Sequence, residues 1–322
     1  MAKILTGIQS TGTPHLGNIL GAIIPAIKMA NESHEESYLF IANMHSLTQI
    51  KNKEILENNT FTTAAAWLAF DLDPNKSCFY RQSDIPEVTE LAWYLSCFFP
   101  YQRLKLAHSF KDKSENLKDV NSGLFSYPML MSADILIYDA NIVPVGKDQL
   151  QHLEMTRDVA ARFNNLMGDT FIIPEAKIQD NSNYVTGTDG QKMSKSKNNI
   201  IDIFLDDKSL KKQIMKIQTK SLSVDEQKDP DDCNVFKLYK LIAEEENIKN
   251  LASRYRKGGI GYGESKEILY NEILNKFAKN REKFFKLMDD KEIVERLLTD
   301  GATKARVQAQ KVLKRVRASV GY

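Results

Sequence analysis

The stretch Lys3-Ile-Leu-Thr-Gly-Ile-Gln-Ser-Thr-Gly-Thr-Pro-His-Leu-Gly-Asn18 decides the fold of this chain. Its apolar run from Ile4 to Gln9 predicts a strand. A Thr-Pro pair then marks a helix start, which places His15, Gly17 and Asn18 in the opening turn. A helix start has free backbone N–H groups and a positive dipole end, so this unit predicts a phosphate site in a doubly wound α/β fold.

Strand-like and helix-like segments alternate along the chain after this unit. The predicted strands are Ile4–Gln9, Tyr38–Ala42, Cys78–Gln82, Ile142–Gly146 and Phe171–Ile173. The first predicted helix follows the first strand and ends near Ala30, and the others span 52–70, 86–98, 123–138 and 149–163. The alternation predicts a Rossmann-like parallel sheet with helices on both faces and ligand at the carboxyl ends of the strands. After Asn199 the sequence is rich in Lys and Glu with helical spacing. We expect a catalytic domain over 1–190 and a C-terminal α-helical domain over 191–322.

A second phosphate signal is Lys192-Met-Ser-Lys-Ser196, which follows Gly187-Thr-Asp-Gly-Gln191. Two ammonium groups three residues apart, on a loop that glycines leave mobile, can hold polyphosphate while its charge rises. A basic, Ser-rich loop by itself is more often a solvated surface segment. Its combination with the strand–turn–helix unit favours a shared nucleotide site.

Composition excludes several classes of function. A formal net charge of +2 gives no global field for nucleic acid, and any RNA contact must come from local patches. One such patch lies between Gly301 and Tyr322, where a solvated face of a terminal helix is at least as good an interpretation; its basic residues are Lys304, Arg306, Lys311, Lys314, Arg315 and Arg317. Three scattered cysteines, the absence of a cleavable signal and the absence of a long apolar run predict a cytoplasmic protein without a membrane segment.

The two phosphate signals, His15-Leu-Gly-Asn18 and Lys192-Met-Ser-Lys-Ser196, resemble the signature motifs of class I aminoacyl-tRNA synthetases. The resemblance extends to the bacterial tryptophanyl-tRNA synthetases through the segments Gly7-Ile-Gln9, Tyr127-Pro-Met-Leu-Met-Ser-Ala-Asp-Ile-Leu136, Ile142-Val-Pro-Val-Gly-Lys-Asp-Gln149 and Gln151-His-Leu-Glu-Met-Thr-Arg-Asp158. It covers about Ile4 to Asn199 and is weaker beyond. This family implies an enzyme that activates L-tryptophan with ATP and Mg²⁺, transfers it to its tRNA and forms a homodimer. It also implies that the helical domain over 191–322 binds the tRNA anticodon, with the last helix packing back on the catalytic domain.

Asp134 is the clearest substrate-selecting residue. It lies in the apolar run Met129–Ile137, where an unpaired buried carboxylate would cost several kcal/mol. On a helix, Tyr127, Met131 and Asp134 share one stripe, and an apolar slot ending in one acceptor suits an indole N–H. Pairing with a neighbouring Arg or capping of a loop is the structural alternative. In the family, the Asp at this position accepts the indole N–H, so the resemblance favours substrate binding.

The resemblance implies further roles position by position. For ATP it implies Gln9, His15, Gly17, Asn18, Asp148, Met193 and Ser194, with Lys192, Lys195 and Lys113 as catalytic cations. For tryptophan it implies Gly7, His45, Tyr127, Met131, Asp134, Val143, Val145 and Gln149. Asp148 can equally be a helix N-cap, Lys113 can lie in a solvated basic turn with Lys111, and His45 alone would not stand out. Mg²⁺ is expected on phosphate oxygens and water, so no protein metal ligands are expected.

Two alternatives remain at this point. A tyrosyl-tRNA synthetase shares the fold and both motifs but needs a polar partner for a phenol. A non-catalytic RNA- or tryptophan-binding paralogue would not need the intact lysines of the loop. The sequence also departs from the family at Lys147, where an acidic residue is common, and at His15, where bacterial members often have Thr.

Overall fold

The computed structural model describes residues 3–33, 36–107, 120–146, 149–178 and 184–322, without the side chains of Val145 and Ile178. Its five-stranded sheet is parallel in the order β3-β2-β1-β4-β5, with β1 (Lys3–Ile8), β2 (Glu36–Ile41), β3 (Ser77–Arg81), β4 (Ile142–Val145) and β5 (Glu175–Ile178). The direction of winding reverses at β1, between β2 and β4. Ligands of doubly wound sheets bind at the carboxyl end of such a switch point. The predicted fold class is confirmed.

Helices cover both faces of the sheet and form most of the C-terminal part. Within the described ranges the α-helices are α1 (Leu16–Asn18), α2 (Ile24–Glu32), α3 (Asn43–Ser46), α4 (Lys53–Ala69), α5 (Glu87–Phe98), α6 (Tyr101–Leu104), α7 (Ser122–Leu136), α8 (Leu150–Met167), α9 (Asp207–Met215), α10 (Asn234–Lys240), α11 (Glu245–Lys257), α12 (Tyr262–Lys276), α13 (Ala278–Asp289) and α14 (Lys291–Val320). A π-helical turn, Ile19–Ile23, joins α1 to α2. Short 3₁₀ turns occur at Gln82–Asp84, Lys195–Lys197 and Pro230–Asp232.

The sheet separates two hydrophobic clusters. Leu39 and Ile41 of β2 belong to one cluster, whereas Tyr38 and Phe40 belong to the other, because successive side chains of a strand point to opposite faces. The first cluster continues into the C-terminal helices, where it includes Phe284. The C-terminal helices and the sheet therefore share a continuous core.

The last helix, α14, crosses the edge strand β3. Its first half contributes Leu298 to one cluster and its second half contributes Val312 to the other. At the crossing a Cβ on Gly301 would lie 1.8 Å from the carbonyl oxygen of Phe79. Only glycine permits this approach of helix to strand.

The predicted strand Phe171–Ile173 is wrong, since β5 runs from Glu175 to Ile178. The Asn164 side chain accepts from the N–H of Phe171 and donates to its carbonyl, both at 2.8 Å. The apolar run is therefore bonded to α8, and the strand begins after Pro174. Because β5 is an edge strand, its exposed sequence has no apolar signal.

Candidate active site

A cavity of about 410 Å³ opens at the carboxyl ends of β1, β2 and β4. Its size is that of a site for a small organic ligand. The cavity brings together eight residues predicted from sequence, which are Gly7, Gln9, His45, Tyr127, Met131, Asp134, Val143 and Gln149. Leu5, Ile8, Phe40, Ala42, Ile135 and His152 complete the lining. The cavity is thus mainly apolar, with polar groups at separate points.

Asp134 is buried in the wall of this cavity, at 3% exposure. His45 Nε2 lies 2.9 Å from its Oδ2, and Gln82 Nε2 lies 2.9 Å from both carboxylate oxygens. Burial holds the pKa of Asp134 above its usual value, although the hydrogen bonds from His45 and Gln82 act in the opposite direction. The expected lone acceptor is therefore a carboxylate that already has two side-chain donors. Neither a pairing with arginine nor the capping of a loop accounts for it.

The predicted stripe on α7 is present, because Tyr127, Met131 and Asp134 all face the cavity. Tyr127 is hydrogen-bonded to His152 Nε2, and His152 Nδ1 lies 3.0 Å from Gln149 Oε1. An amide oxygen only accepts, so His152 donates from Nδ1 and accepts the Tyr127 hydroxyl proton at Nε2. This leaves the phenol oxygen as an acceptor at the cavity wall.

Gly7 keeps the floor of the cavity open for the Phe40 side chain. A Cβ at Gly7 would lie 2.4 Å from the Phe40 ring. Val143 of the neighbouring strand β4 is 5% exposed and also lines the cavity. Val145 is predicted to share this wall, but its side chain is not among the described parts of the structure.

The basic loop is organised by Asn199, a residue of 1% exposure. Its Oδ1 accepts from Ser194 N–H at 2.7 Å, and its Nδ2 donates to Asp189 at 2.7 Å and to the Lys192 carbonyl at 3.1 Å. Gly190 has φ +81°, which allows the loop to turn. The glycine-rich stretch is thus a hydrogen-bonded turn.

Lys195 lies over the backbone of Gly12, in the turn between β1 and α1. Gly12 has φ +126°, and a Cβ there would lie 3.2 Å from Lys195 Nζ. Burial lowers the pKa of Lys195 to about 8, against the opposing charge of Asp202. Lys192, by contrast, is exposed. The two ammonium groups of the motif therefore differ in environment.

The backbone N–H groups at the start of α1 are already hydrogen-bonded within the protein. The prediction that they are free is therefore wrong. Leu16 N–H donates to Ile201 O at 2.8 Å, Gly17 N–H to Met193 Sδ at 3.3 Å, and Asn18 N–H to His15 Nδ1 at 3.2 Å. Asn18 Oδ1 in turn accepts from the His15 N–H at 3.3 Å, so these two residues form a capping box. The free donors at this end are consequently side-chain groups.

His15 is neutral, with its proton on Nε2. Burial and then the charge of Lys195 lower its pKa to about 4. Its Nδ1 accepts from the backbone, so Nε2–H is the donor left for a ligand. The Asn18 amide likewise retains its Nδ2 donors.

The cavity and the loop are close together. Gln9 lines the cavity, and Gly12 lies beneath Lys195. Three residues of chain span at most about 11 Å, so both halves belong to one site. Arg281 of α13 holds the segment after the loop by donating to the carbonyls of Ile203 and Leu205. The C-terminal helices thus help to position Lys195.

Some residues predicted for the site lie outside the described ranges, and some residues that organise the site were not predicted. Lys113 and Asp148 fall in the undescribed segments, as do Lys111 and Lys147. The sequence interpretation missed three organising side chains, which are Gln82, His152 and Asn199. Gln82 could have been found as a polar residue at the carboxyl end of a predicted strand.

The described residues also bear on metals and membranes. They contain no group of three His, Cys, Asp or Glu side chains placed to hold a metal ion. Within the same ranges, no helix has the length and apolar character needed to cross a membrane.

The class of protein is shown by comparison with known families. The family model for class I tRNA synthetases (W and Y) matches residues 1–278. The chain belongs to this family of class I aminoacyl-tRNA synthetases, which confirms the resemblance of the two motifs.

The amino-acid specificity within this class is shown by similar proteins of known name. Tryptophan–tRNA ligase of Campylobacter jejuni strain RM1221 is 46% identical over 320 residues, covering 99% of both chains. That of Rhodopirellula baltica is 44% identical, again over 99% of both. The crystal structure of Campylobacter jejuni tryptophanyl-tRNA synthetase complexed with ADP and tryptophan has a TM-score of 0.95 and 45% identity, covering 99% of this chain and 100% of that one. The chain is an enzyme with the function of a tryptophan–tRNA ligase.

Proposed function

We propose that the cavity holds L-tryptophan beside ATP, and that the residues predicted from sequence carry the two steps of the ligase reaction. A carboxylate oxygen of tryptophan attacks the α-phosphorus of ATP, and the bond from that phosphorus to pyrophosphate breaks. A terminal ribose hydroxyl of the tRNA then attacks the activated carbonyl and releases AMP. The observation that carries this proposal is a buried carboxylate in an apolar cavity within reach of a cationic loop.

The indole ring fits between Met131 and Val143, with its N–H donated to Asp134. A carboxylate has about four lone-pair sites, and the bonds from His45 and Gln82 leave one of them, on Oδ1, for this donor. A phenol has its donor on a hydroxyl at the end of a single ring, so a slot that fits a two-ring indole does not bring this hydroxyl to the same point. The geometry therefore supports the tryptophan specificity of the relatives.

Tyr127 and Gln149 bind the substrate ammonium in this proposal. His152 connects them and fixes the phenol oxygen as an acceptor. An ammonium group needs acceptors only, so this arrangement fits it.

The phosphates of ATP lie between α1 and the loop. His15 Nε2–H and the Asn18 amide donate to phosphate oxygens, with Gln9 nearby, and Lys195 neutralises the departing pyrophosphate together with Lys192. Gly17, Met193 and Ser194 remain predicted ATP contacts. The bond from the Gly17 N–H to Met193 Sδ packs the loop on α1, and the Ser194 N–H is bonded to Asn199 within the loop. Lys113 and Asp148 remain predicted ATP contacts. The substrates supply both nucleophiles, so positioning and charge stabilisation are the enzyme's contribution.

Mg²⁺ fits this donor set as a substrate-bound ion. The described donors near the loop are N–H and ammonium groups, which complement phosphate oxygens and not a cation. Mg²⁺ would neutralise phosphate charge while bound by ATP and water. Recognition of the tRNA anticodon by the C-terminal helices, the domain boundary at 190/191, the homodimer and the cytoplasmic location remain predictions.

Amino-acid-dependent exchange of pyrophosphate into ATP tests the proposal. We expect exchange with tryptophan and at least about 10⁴-fold less with tyrosine, because the wrong ring leaves a buried acceptor unpaired. Asp134→Ala should weaken selection of tryptophan far more than binding of ATP. Equal losses for both ligands would contradict the role of Asp134. Faster exchange with tyrosine would contradict the specificity.

A further inference from the structure

Gln82 lies behind the cavity, at the end of β3. It is 1% exposed and does not line the cavity, so it does not touch a ligand there. Its Oε1 accepts from the Met44 N–H at 3.1 Å. Because a backbone N–H only donates, this bond fixes the amide oxygen toward α3 and the amide nitrogen toward Asp134.

The Gln82 amide nitrogen spans the Asp134 carboxylate, at 2.9 Å from each oxygen. His45 approaches Oδ2 alone. The two donors together fix the plane of the carboxylate and occupy three of its roughly four lone-pair sites. The remaining site is on Oδ1.

We infer that Gln82 is a positioning residue for tryptophan specificity, since it fixes the plane of the Asp134 carboxyl group and keeps the unused Oδ1 lone pair directed into the cavity. This inference rests on the proposed role of Asp134 as the indole acceptor. An ionised carboxylate with one open site selects for a donor at that point of the ring. A carboxylate that turns moves its open lone pair away from the ring N–H, and a carboxyl group that takes up a proton offers a donor as readily as an acceptor, so either change loses this selectivity.

The contacts of α3 separate this role from a purely structural one. Asn43 of α3 is bonded to Ser83 by two hydrogen bonds, of 2.9 and 3.1 Å. The helix therefore stays attached to the end of β3 when Gln82 is replaced. Loss of Gln82 should act mainly on the carboxylate.

The test uses tryptophan and β-(3-benzothienyl)alanine, an analogue with sulfur in place of the ring N–H. The ratio of kcat/KM for the two substrates is measured by pyrophosphate exchange in the wild type, Gln82→Met and Gln82→Glu. The wild type should prefer tryptophan by about 10²-fold or more, because the analogue leaves the acceptor unpaired. Gln82→Met should reduce this preference about tenfold, with an unchanged KM for ATP.

Gln82→Glu provides a second, isosteric variant if the apolar one does not fold. A second carboxyl beside Asp134 shares a proton with it, so the preference should again fall. Ser83→Ala is the matched control, since it loosens α3 without touching Asp134, and its preference should equal that of the wild type. Equal losses for both substrates in the Gln82 variants would show a structural role only and overturn the inference. A wild type without preference for the ring N–H would overturn the proposed role of Asp134, and the inference with it.

Discussion

The basic loop at Lys192–Ser196 and the second half of helix α14 are both rich in basic residues, but these residues have different electrostatic environments. In α14, Arg306, Arg315 and Arg317 form ion pairs with Glu87, Asp139 and Glu90. Lys195 takes part in none of the ion pairs within 4 Å among the described residues; its charge is partly desolvated above Gly12 and interacts with Asp202 only at longer range. The helix uses its arginines to hold the fold together, whereas the loop keeps an ammonium group for a ligand.

This difference shows what a cluster of basic residues needs in order to bind phosphate. A cation that already has a carboxylate partner must exchange it, whereas an unpaired cation gains the full interaction. Three of the basic residues in the predicted RNA patch are therefore structural. Lys304, Lys311 and Lys314 remain exposed on α14.

Removal of the unpaired charge should have the largest effect. Lys195→Ala is expected to lower tryptophan-dependent pyrophosphate exchange by about 10²- to 10³-fold, as for loss of one preorganised charge donor. Tryptophan affinity, measured by equilibrium dialysis, should stay within about twofold. Lys197→Ala is the control in the same loop, since Lys197 is exposed and bonded to Gln191. Full exchange activity in Lys195→Ala would remove the contrast between loop and helix.

The pH dependence of ATP binding should report the same charge. Lys195 has a pKa of about 8, so it is charged below that pH and neutral above it. His15, with a pKa of about 4, is neutral throughout the range from 6 to 9. The affinity for ATP should therefore fall by up to about fivefold between pH 8 and 9. In Lys195→Arg this fall should disappear, and its persistence there would assign the titration to another group.

Breaking an ion pair of the helix should affect stability and leave activity intact. Burial would raise the pKa of Glu87, but hydrogen bonds from Arg306 and Gln310 outweigh it and hold the pKa below its usual value of 4.5. Arg306→Gln should lower the free energy of unfolding by about 1–2 kcal/mol at pH 7, with exchange within about twofold of wild type.

The pH dependence of this loss has a defined sign. The stabilising contribution of ionised Glu87 is present above pH 4.5 and is lost as the pH falls through its lower folded value. The difference in urea unfolding between wild type and variant should therefore shrink in acid. Arg317→Gln, whose pair is more exposed, should show a smaller loss at neutral pH. If Arg306→Gln lowered pyrophosphate exchange strongly and left the free energy of unfolding unchanged, Arg306 would have a role in the reaction, as Lys195 does, and not in stability.

The exposed lysines should have the smallest effect. The combined variant Lys311→Ala, Lys314→Ala is expected to leave exchange unchanged and to raise the KM for tRNA by less than about threefold. Aminoacylation at two salt concentrations measures this. A large, salt-dependent rise in KM would make α14 an RNA surface and remove its contrast with the loop.

Local pattern predicted those parts of the site that depend on near neighbours in sequence. The Thr-Pro pair placed the helix start close to His15, which is the N-cap of α1, and the stripe of Tyr127, Met131 and Asp134 follows from helical spacing. The parallel sheet follows from the alternation of strands and helices. These features are local, and the structure confirms them.

The errors concern partners that are distant in sequence. Gly17 N–H is bonded to Met193, 176 residues away, so local sequence gave the helix start but not the occupation of its donors. Gln82 and His152 are single polar residues without a periodic pattern, and only tertiary packing shows their partners. The strand β5 was misplaced because its exposed edge carries no apolar alternation.

The contact of Gly301 with Phe79 has a consequence for biosynthesis. In the part of the chain that the structure describes, α14 packs on the edge strand β3 and is encoded in the last tenth or so of the sequence, so this packing is absent until the ribosome has made that helix. A message cut short ahead of codon 301 would yield a product with an exposed strand edge, ready to pair with other nascent chains. During synthesis, this strand edge therefore becomes protected when α14 is complete.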